Sequence, residues 1–317
     1  MKFNHLSFSV LIISLLFCCA CNSKSEKSNG EEKSESDLTF RDVNGIRFYE
    51  VKRRFKNGLS FNKDGFQQEP TWIIQFKSPD TMLAYSPEKQ GMEAFFLQFD
   101  HGQVYNFARE YFRVKTITKD SLILQRLQVD GRVIAGDDDV RSDVYCTYYT
   151  QNYIEKVLHT TVGELQRPTK ADTLFIKDLS NKTNKDPSNA KIAFAAREPV
   201  VFTPKGDFIT VEKFSTQDAT THRTQAYDYI YPEYRIEIKK SYKAFAYRFS
   251  LVVAANGKMY VNRVDGVMEE DMAARKRLYQ GITDVYLKNL LKITPGTTLG
   301  IPHSSEITVN LVGRLAK

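Results

Sequence analysis

Short segments in which apolar and polar residues alternate recur along this chain, each closed by a turn-forming pair. A two-residue period is the pleat of a half-buried β-strand. The clearest run places Phe245, Tyr247, Phe249, Leu251 and Val253 on one face. Asn256-Gly257 follows, a pair that accepts positive φ at both central positions of a tight hairpin turn, and a return strand is expected over 258–264. In the first half, strands are expected over 46–54, 71–76, 95–99, 111–117, 121–129 and 144–149. Asn57-Gly58, Asp64-Gly65, Asp100-His101-Gly102, Lys119-Asp120 and Asp130-Gly131 separate them. Strands at that spacing describe a sandwich or small barrel, with Trp72, Ile73, Ile74 and Phe76 assigned to its core.

Helical spacing enters near the C-terminus. Glu269, Glu270 and Asp271 suit the positive end of a helix dipole. Leu278, Ile282, Val285, Tyr286 and Leu290 then recur as an apolar stripe up to Lys292, and Pro295-Gly296 stops the run. A last strand over 306–312 aligns Ile307, Val309 and Leu311. Between 167 and 197 the periodicity dissolves into polar, turn-forming residues such as Asp178, Ser180, Asn181, Asn184, Pro187 and Asn189. The stretch 176–197 is therefore read as a linker or exposed loop between a β-rich domain, 38–175, and an α+β domain, 198–317. Ser215–Thr224 reads as a further exposed loop. The expected fold class is α+β and β-rich: an N-terminal antiparallel β sandwich or small barrel, plus a C-terminal antiparallel sheet with one long packed helix.

The order strand, Asn256-Gly257, strand, helix, Pro295-Gly296, Gly300-Ile301-Pro302 and final strand resembles the C-terminal domain of TonB-type proteins over 233–315. That resemblance implies a helix packed on a three-stranded antiparallel sheet. Ile293-Thr294 stand where that family carries an aromatic before its Pro-Gly pair. The strand-turn-strand pattern of 114–127 is similar to the lipocalin-like domains of exported bacterial lipoproteins, which implies a β cup for an apolar ligand.

At the N-terminus, Lys2 precedes an apolar run from Leu6 to Ala20, ending in Phe17-Cys18-Cys19-Ala20-Cys21. Such a run is too short for a spanning helix, which needs about 20 apolar residues, and has the form of a secretory signal. It resembles a lipoprotein signal peptide, with Ala20 as the small residue before the cut. The resemblance implies cleavage after Ala20 and acylation of Cys21 by fatty chains such as palmitate. The residues after Cys21, 22–37, contain no apolar side chain, and are expected to form a disordered tether. The protein is thus expected to be lipid-anchored in the bacterial cell envelope, on the outer membrane, with the membrane and an envelope protein as partners.

The formal charge of +7 falls to +6 once Lys2 leaves with the signal, and the basic residues are interspersed with acids, which argues against nucleic-acid binding. Three of the four cysteines lie at positions 18, 19 and 21, so the body keeps only Cys146, which forms no internal disulfide and is read as a buried small hydrophobe. Motifs for zinc hydrolysis, for a serine nucleophile elbow or for a phosphate cradle are absent from the sequence. His101, His159, His222 and His303 are far apart. Asp137-Asp138-Asp139 reads as a solvated turn, and His303-Ser304-Ser305 as a turn into the last strand. No catalytic, cofactor-binding or metal residue is assigned. Tyr227, Tyr229, Tyr231 and Tyr234, around Pro232, form the candidate binding surface, with a half-buried strand as the other account of the same residues. The expected function is a non-enzymatic protein-interaction module, and the alternative is binding of a small apolar ligand or a glycan by the N-terminal β domain.

Overall fold

The structure is a computed structural model that describes residues 39–77, 80–131, 133–134, 140–214 and 226–315. Cys21 with the signal and tether segments, Asp137 to Asp139, the 215–224 loop and His222 lie outside the described residues.

The first domain is a nine-stranded antiparallel sheet. Its strands are β1 (Arg47–Phe55), β2 (Ile73–Phe76), β3 (Thr81–Ser86), β4 (Gly91–Phe96), β5 (Gln98–His101), β6 (Val104–Phe107), β7 (Glu110–Ile117), β8 (Ser121–Leu127) and β9 (Val144–Thr150). The strand order is β4-β3-β2-β1-β9-β8-β7-β6-β5, so β4 and β5 are the two edges. Only Leu97 separates them in the chain, and therefore the sheet curls almost back onto itself. Sequence alternation locates β1, β2, β7, β8 and β9 but passes over β3 and β6, and the strand expected over 95–99 straddles the break at Leu97 between β4 and β5. Phe48, Phe76, Phe107, Phe112 and Tyr148 fill the interior with their rings. Phe40, just before β1, stacks on Phe76 at 4.2 Å, and Phe107 stacks on Phe112 at 4.5 Å.

The second domain is a five-stranded sheet of β11 (Ile209–Phe214), β12 (Glu233–Ser241), β13 (Phe245–Val253), β14 (Met259–Val264) and β16 (Ser305–Leu315), in the order β11-β12-β16-β13-β14. Beside it, β10 (Val201–Pro204) pairs with β15 (Leu291–Thr294). The expected antiparallel sheet is in fact mixed, because β16 runs antiparallel to β13 but parallel to β12. The long final connection returns the chain between those two strands, which a hairpin cannot do. Buried Ile307, Val309 and Leu311 line one face of β16, as their alternation predicts.

The expected helix forms as α3 (Glu269–Ile282) and continues through a π-type turn, Thr283–Leu287, to Leu290. Its buried stripe differs from the expected one. Leu278 and Val285 are exposed at 44% and 59%, whereas Tyr279 and Leu287 are buried and Met272, Ile282, Tyr286 and Leu290 pack on the same core. Tyr279 wins the inward position because its ring meets Tyr247 and Phe249, at 4.7 and 5.0 Å.

The stretch 176–197 is not the loop its composition suggests. Helix α1 (Lys170–Lys185) covers its first half, closed by a capping box between Thr169 and Asp172. Asn, Ser and Thr are weak helix formers, so packing decides here. Ile176 is buried with Phe61 from the β1–β2 loop and Phe194 from the segment after the helix, a small core between the two domains. Ser180 and Thr183 are small enough to admit the chain around 302–304, and Ser180 Oγ donates to the Pro302 carbonyl at 2.8 Å. Burial alone raises the Asp172 carboxyl. The amides of Ser60 and Thr169, the Thr169 hydroxyl and Arg54 outweigh that effect and hold it at about 2.

Candidate functional site

The tyrosine cluster sits at the junction of the domains, and the structure divides it. Tyr227, Tyr229 and Ile230 belong to a short helix, α2 (Ala226–Ile230), rather than to a half-buried strand. Tyr227 and Tyr231 are four residues apart, hence on one helical face. They are 62% and 65% exposed with ring centroids 5.2 Å apart. Tyr229 and Tyr234 are buried and structural. The Tyr229 hydroxyl accepts from the Gln67 amide at 3.0 Å, and its ring lies 4.6 Å under the Arg197 guanidinium. Arg197 in turn donates to Gln67 at 3.0 Å and to Glu69 at 2.6 Å. The Tyr234 hydroxyl donates to the Val200 carbonyl. The candidate surface therefore reduces to the pair Tyr227 and Tyr231.

Beside that pair is a hollow of about 350 Å³. Ile230, Tyr231 and Pro232 form one wall, residues 193–195 another, and Glu306 to Thr308 the third. Asp64, Arg263 and Glu306 bring charge of both signs to its rim. Arg263 is held by Asp265 at 3.1 Å, and Glu306 accepts from Asn262 at 2.8 Å. Arg197, Gln67 and Glu69, which fix the floor under Tyr229, carry no sequence signal; only the four-residue spacing of Tyr227 and Tyr231 could have marked the exposed pair.

Two buried polar clusters lie elsewhere. In the barrel, the extra residue Val51 forms a β-bulge opposite Tyr148 and Thr147. Residues three apart in a regular strand face opposite ways, but this bulge turns both Glu50 and Arg53 inward. Arg53 grips the Glu50 carboxylate in two hydrogen bonds, at 2.7 and 2.9 Å, and the amides of Thr71 and Trp72 complete its shell at 2.8 and 2.9 Å. Cys146 is buried against this pair, and burial followed by the Glu50 charge pushes its thiol well up, so it is no thiolate nucleophile.

The second cluster centres on His303, fully buried and stacked on Phe194 at 3.6 Å. Its Nδ1 lies 3.1 Å from the Ser304 carbonyl and its Nε2 3.0 Å from Thr298 Oγ1. A carbonyl only accepts, so Nδ1 carries the proton and Nε2 accepts from the threonine. Burial lowers its pKa from 6.5 to about 4. The unfolded chain then binds the proton first as pH falls, so this contribution is full above about 6.5 and is lost towards pH 4. Urea titrations at pH 7 and pH 4 are expected to differ by about 3 kcal/mol through this residue. His303→Gln should flatten that dependence; an unchanged slope would sink the assignment.

Among the described residues no group of three or more His, Cys, Asp or Glu side chains could hold a metal ion, and no helix is long and apolar enough to cross a membrane. Comparison with family models, with curated proteins and with solved structures returned no match. The geometry on offer is that of a surface: two exposed phenol rings beside a hollow lined by charge of both signs.

Proposed function

We propose that this protein is a lipid-anchored bacterial envelope protein whose body binds a partner protein at the domain junction. The carrying observation is the pair Tyr227 and Tyr231, exposed together beside the hollow. Large aromatic residues with a polar tip anchor interfaces at small conformational cost, and a concave neighbour receives the partner's side chains. The floor under the pair is rigid, since Tyr229, Arg197, Gln67 and Glu69 are cross-linked by hydrogen bonds and stacking. Attachment through Cys21 by a cleaved lipoprotein signal supplies the envelope location in this reading, and the final β-hairpin, helix and strand supply its TonB-like character. Binding of an apolar ligand within the barrel is the less favoured reading, because the interior rings contact one another.

A photo-crosslinking residue at position 231 is expected to capture one defined envelope protein in living cells, while the same probe at Lys177 captures none. Tyr227→Ala combined with Tyr231→Ala should reduce capture at a neighbouring probe at least tenfold, with stability unchanged. Cys21→Ser should abolish palmitate incorporation and move the protein out of the membrane fraction. Equal capture at positions 231 and 177 would exclude the junction surface; continued acylation of the serine variant would exclude the anchor.

A further inference from the structure

The second domain carries a further cleft of about 950 Å³, bounded by the β13–β14 hairpin, the C-terminal part of the long helix, and β15. Lys205, Lys258, Lys288 and Lys292 line it, from three separate stretches of chain: the end of β10, the hairpin turn, and the helix end that runs into β15. None of the four is ion-paired with a described carboxylate; Lys205 Nζ donates to the Lys288 carbonyl at 3.3 Å. What sets these four apart is their convergence on one concave surface. The lone acid of the cleft, Asp284, already accepts from the Gln280 amide at 3.1 Å.

The walls are fixed. Gly257 holds φ +78° at the hairpin turn, which lies against Ile293. Gln280 accepts from the Val261 amide at 2.9 Å and donates to the Met259 carbonyl at 3.0 Å, tying the helix to the open edge of β14. The Lys205 amide donates to the Leu290 carbonyl at 2.9 Å. Tyr260 and Ile293, both partly exposed, line the cleft as well, with buried Met259 and Leu291, so apolar surface lies beside the lysines.

We propose that this cleft binds a small amphipathic anion, with a phosphate or carboxylate head held by the lysines and an apolar body against Tyr260 and Ile293, next to the Met259 side chain. Its volume is in the range of small-molecule sites, about 300–1,000 Å³, and like charges around a concave surface focus an attractive field on an anion. The site is separate from the tyrosine pair and does not depend on the partner reading.

The test uses residues 38–317, which hold every described element, with methyl-labelled methionine, following the Met259 methyl resonance by NMR. Octyl phosphate or octanoate should shift it saturably, and whichever binds more tightly identifies the head group. Octanol and inorganic phosphate, each supplying half of the chemistry, should bind at least tenfold more weakly. Lys258→Glu with Lys292→Glu should lower affinity at least tenfold, the milder pair Lys258→Gln with Lys292→Gln should lower it less, and Lys177→Glu on α1 should leave it unchanged. Octanol binding as well as the anions, or equal affinity in both double variants and the parent, would overturn the proposal, as would a Met259 signal that none of the ligands moves.

Discussion

Glu50→Ala is expected to destabilise the barrel by about 3–5 kcal/mol, since removal of one partner leaves the other charge buried and unpaired. Burial pulls the pKa of the Arg53 guanidinium down, but the charge of Glu50, together with Cys146, Tyr148 and the hydrogen bond to Glu50, outweighs it and holds the pKa above the ordinary value. The same substitution strips the acceptor from the amides of Thr71 and Trp72. The chain carries a built-in reporter, because its single tryptophan, Trp72, lies 5.5 Å from the Arg53 guanidinium and 5.9 Å from the Phe112 ring. Urea unfolding followed by Trp72 emission should move its midpoint down by on the order of 2 M. Glu50→Leu with Arg53→Met should lose less than the two single changes added together, because neither charge is then stranded. A loss under about 1 kcal/mol in Glu50→Ala would mean that Arg53 finds solvent and that the pair is not a structural unit.

Gly65→Ala is expected to loosen the contact between the domains. Gly65 has φ +85°, and a Cβ there would fall 2.8 Å from the Ala195 amide nitrogen and closer still to its carbonyl oxygen. Both obstacles are backbone, so no rotamer change relieves them. The left-handed conformation costs an alanine about 1–2 kcal/mol, and overpacking adds about 1–3 kcal/mol. The turn must then lift from the segment it holds, breaking the bond from the Ala195 amide to the Asp64 carbonyl and opening the small core of Phe61, Ile176 and Phe194. Limited proteolysis should show new cleavage around 186–197, and thermal unfolding should separate into two transitions. Gly58→Ala is the control: its φ is +82°, but nothing lies within 4 Å of the added carbon. If both variants behave alike, backbone strain alone is at work and the junction contact has no special weight.

The sequence by itself determined the strands with strong alternation, such as β13 and β16, and the hairpin at Asn256-Gly257, because a pleat and a positive-φ turn are local properties of a few residues. Acidic residues likewise marked the start of the long helix, but its end at Leu290 was set by the pairing of β15 with β10, ahead of Pro295-Gly296. Tertiary structure decided the rest. Which stripe of that helix faces inward depends on the rings of Tyr247 and Phe249, which come from another strand. The turn-like composition of 176–185 becomes helix because Ile176, Ser180 and Thr183 find a groove between two domains. The bulge at Val51, which puts Glu50 beside Arg53, is visible only in the pairing with β9. The four tyrosines divide into two that support and two that face solvent, since Arg197, Gln67 and Val200 reach only Tyr229 and Tyr234. Local patterns encode backbone conformation; the choice of which side chains are left at the surface is made by residues far away in the chain.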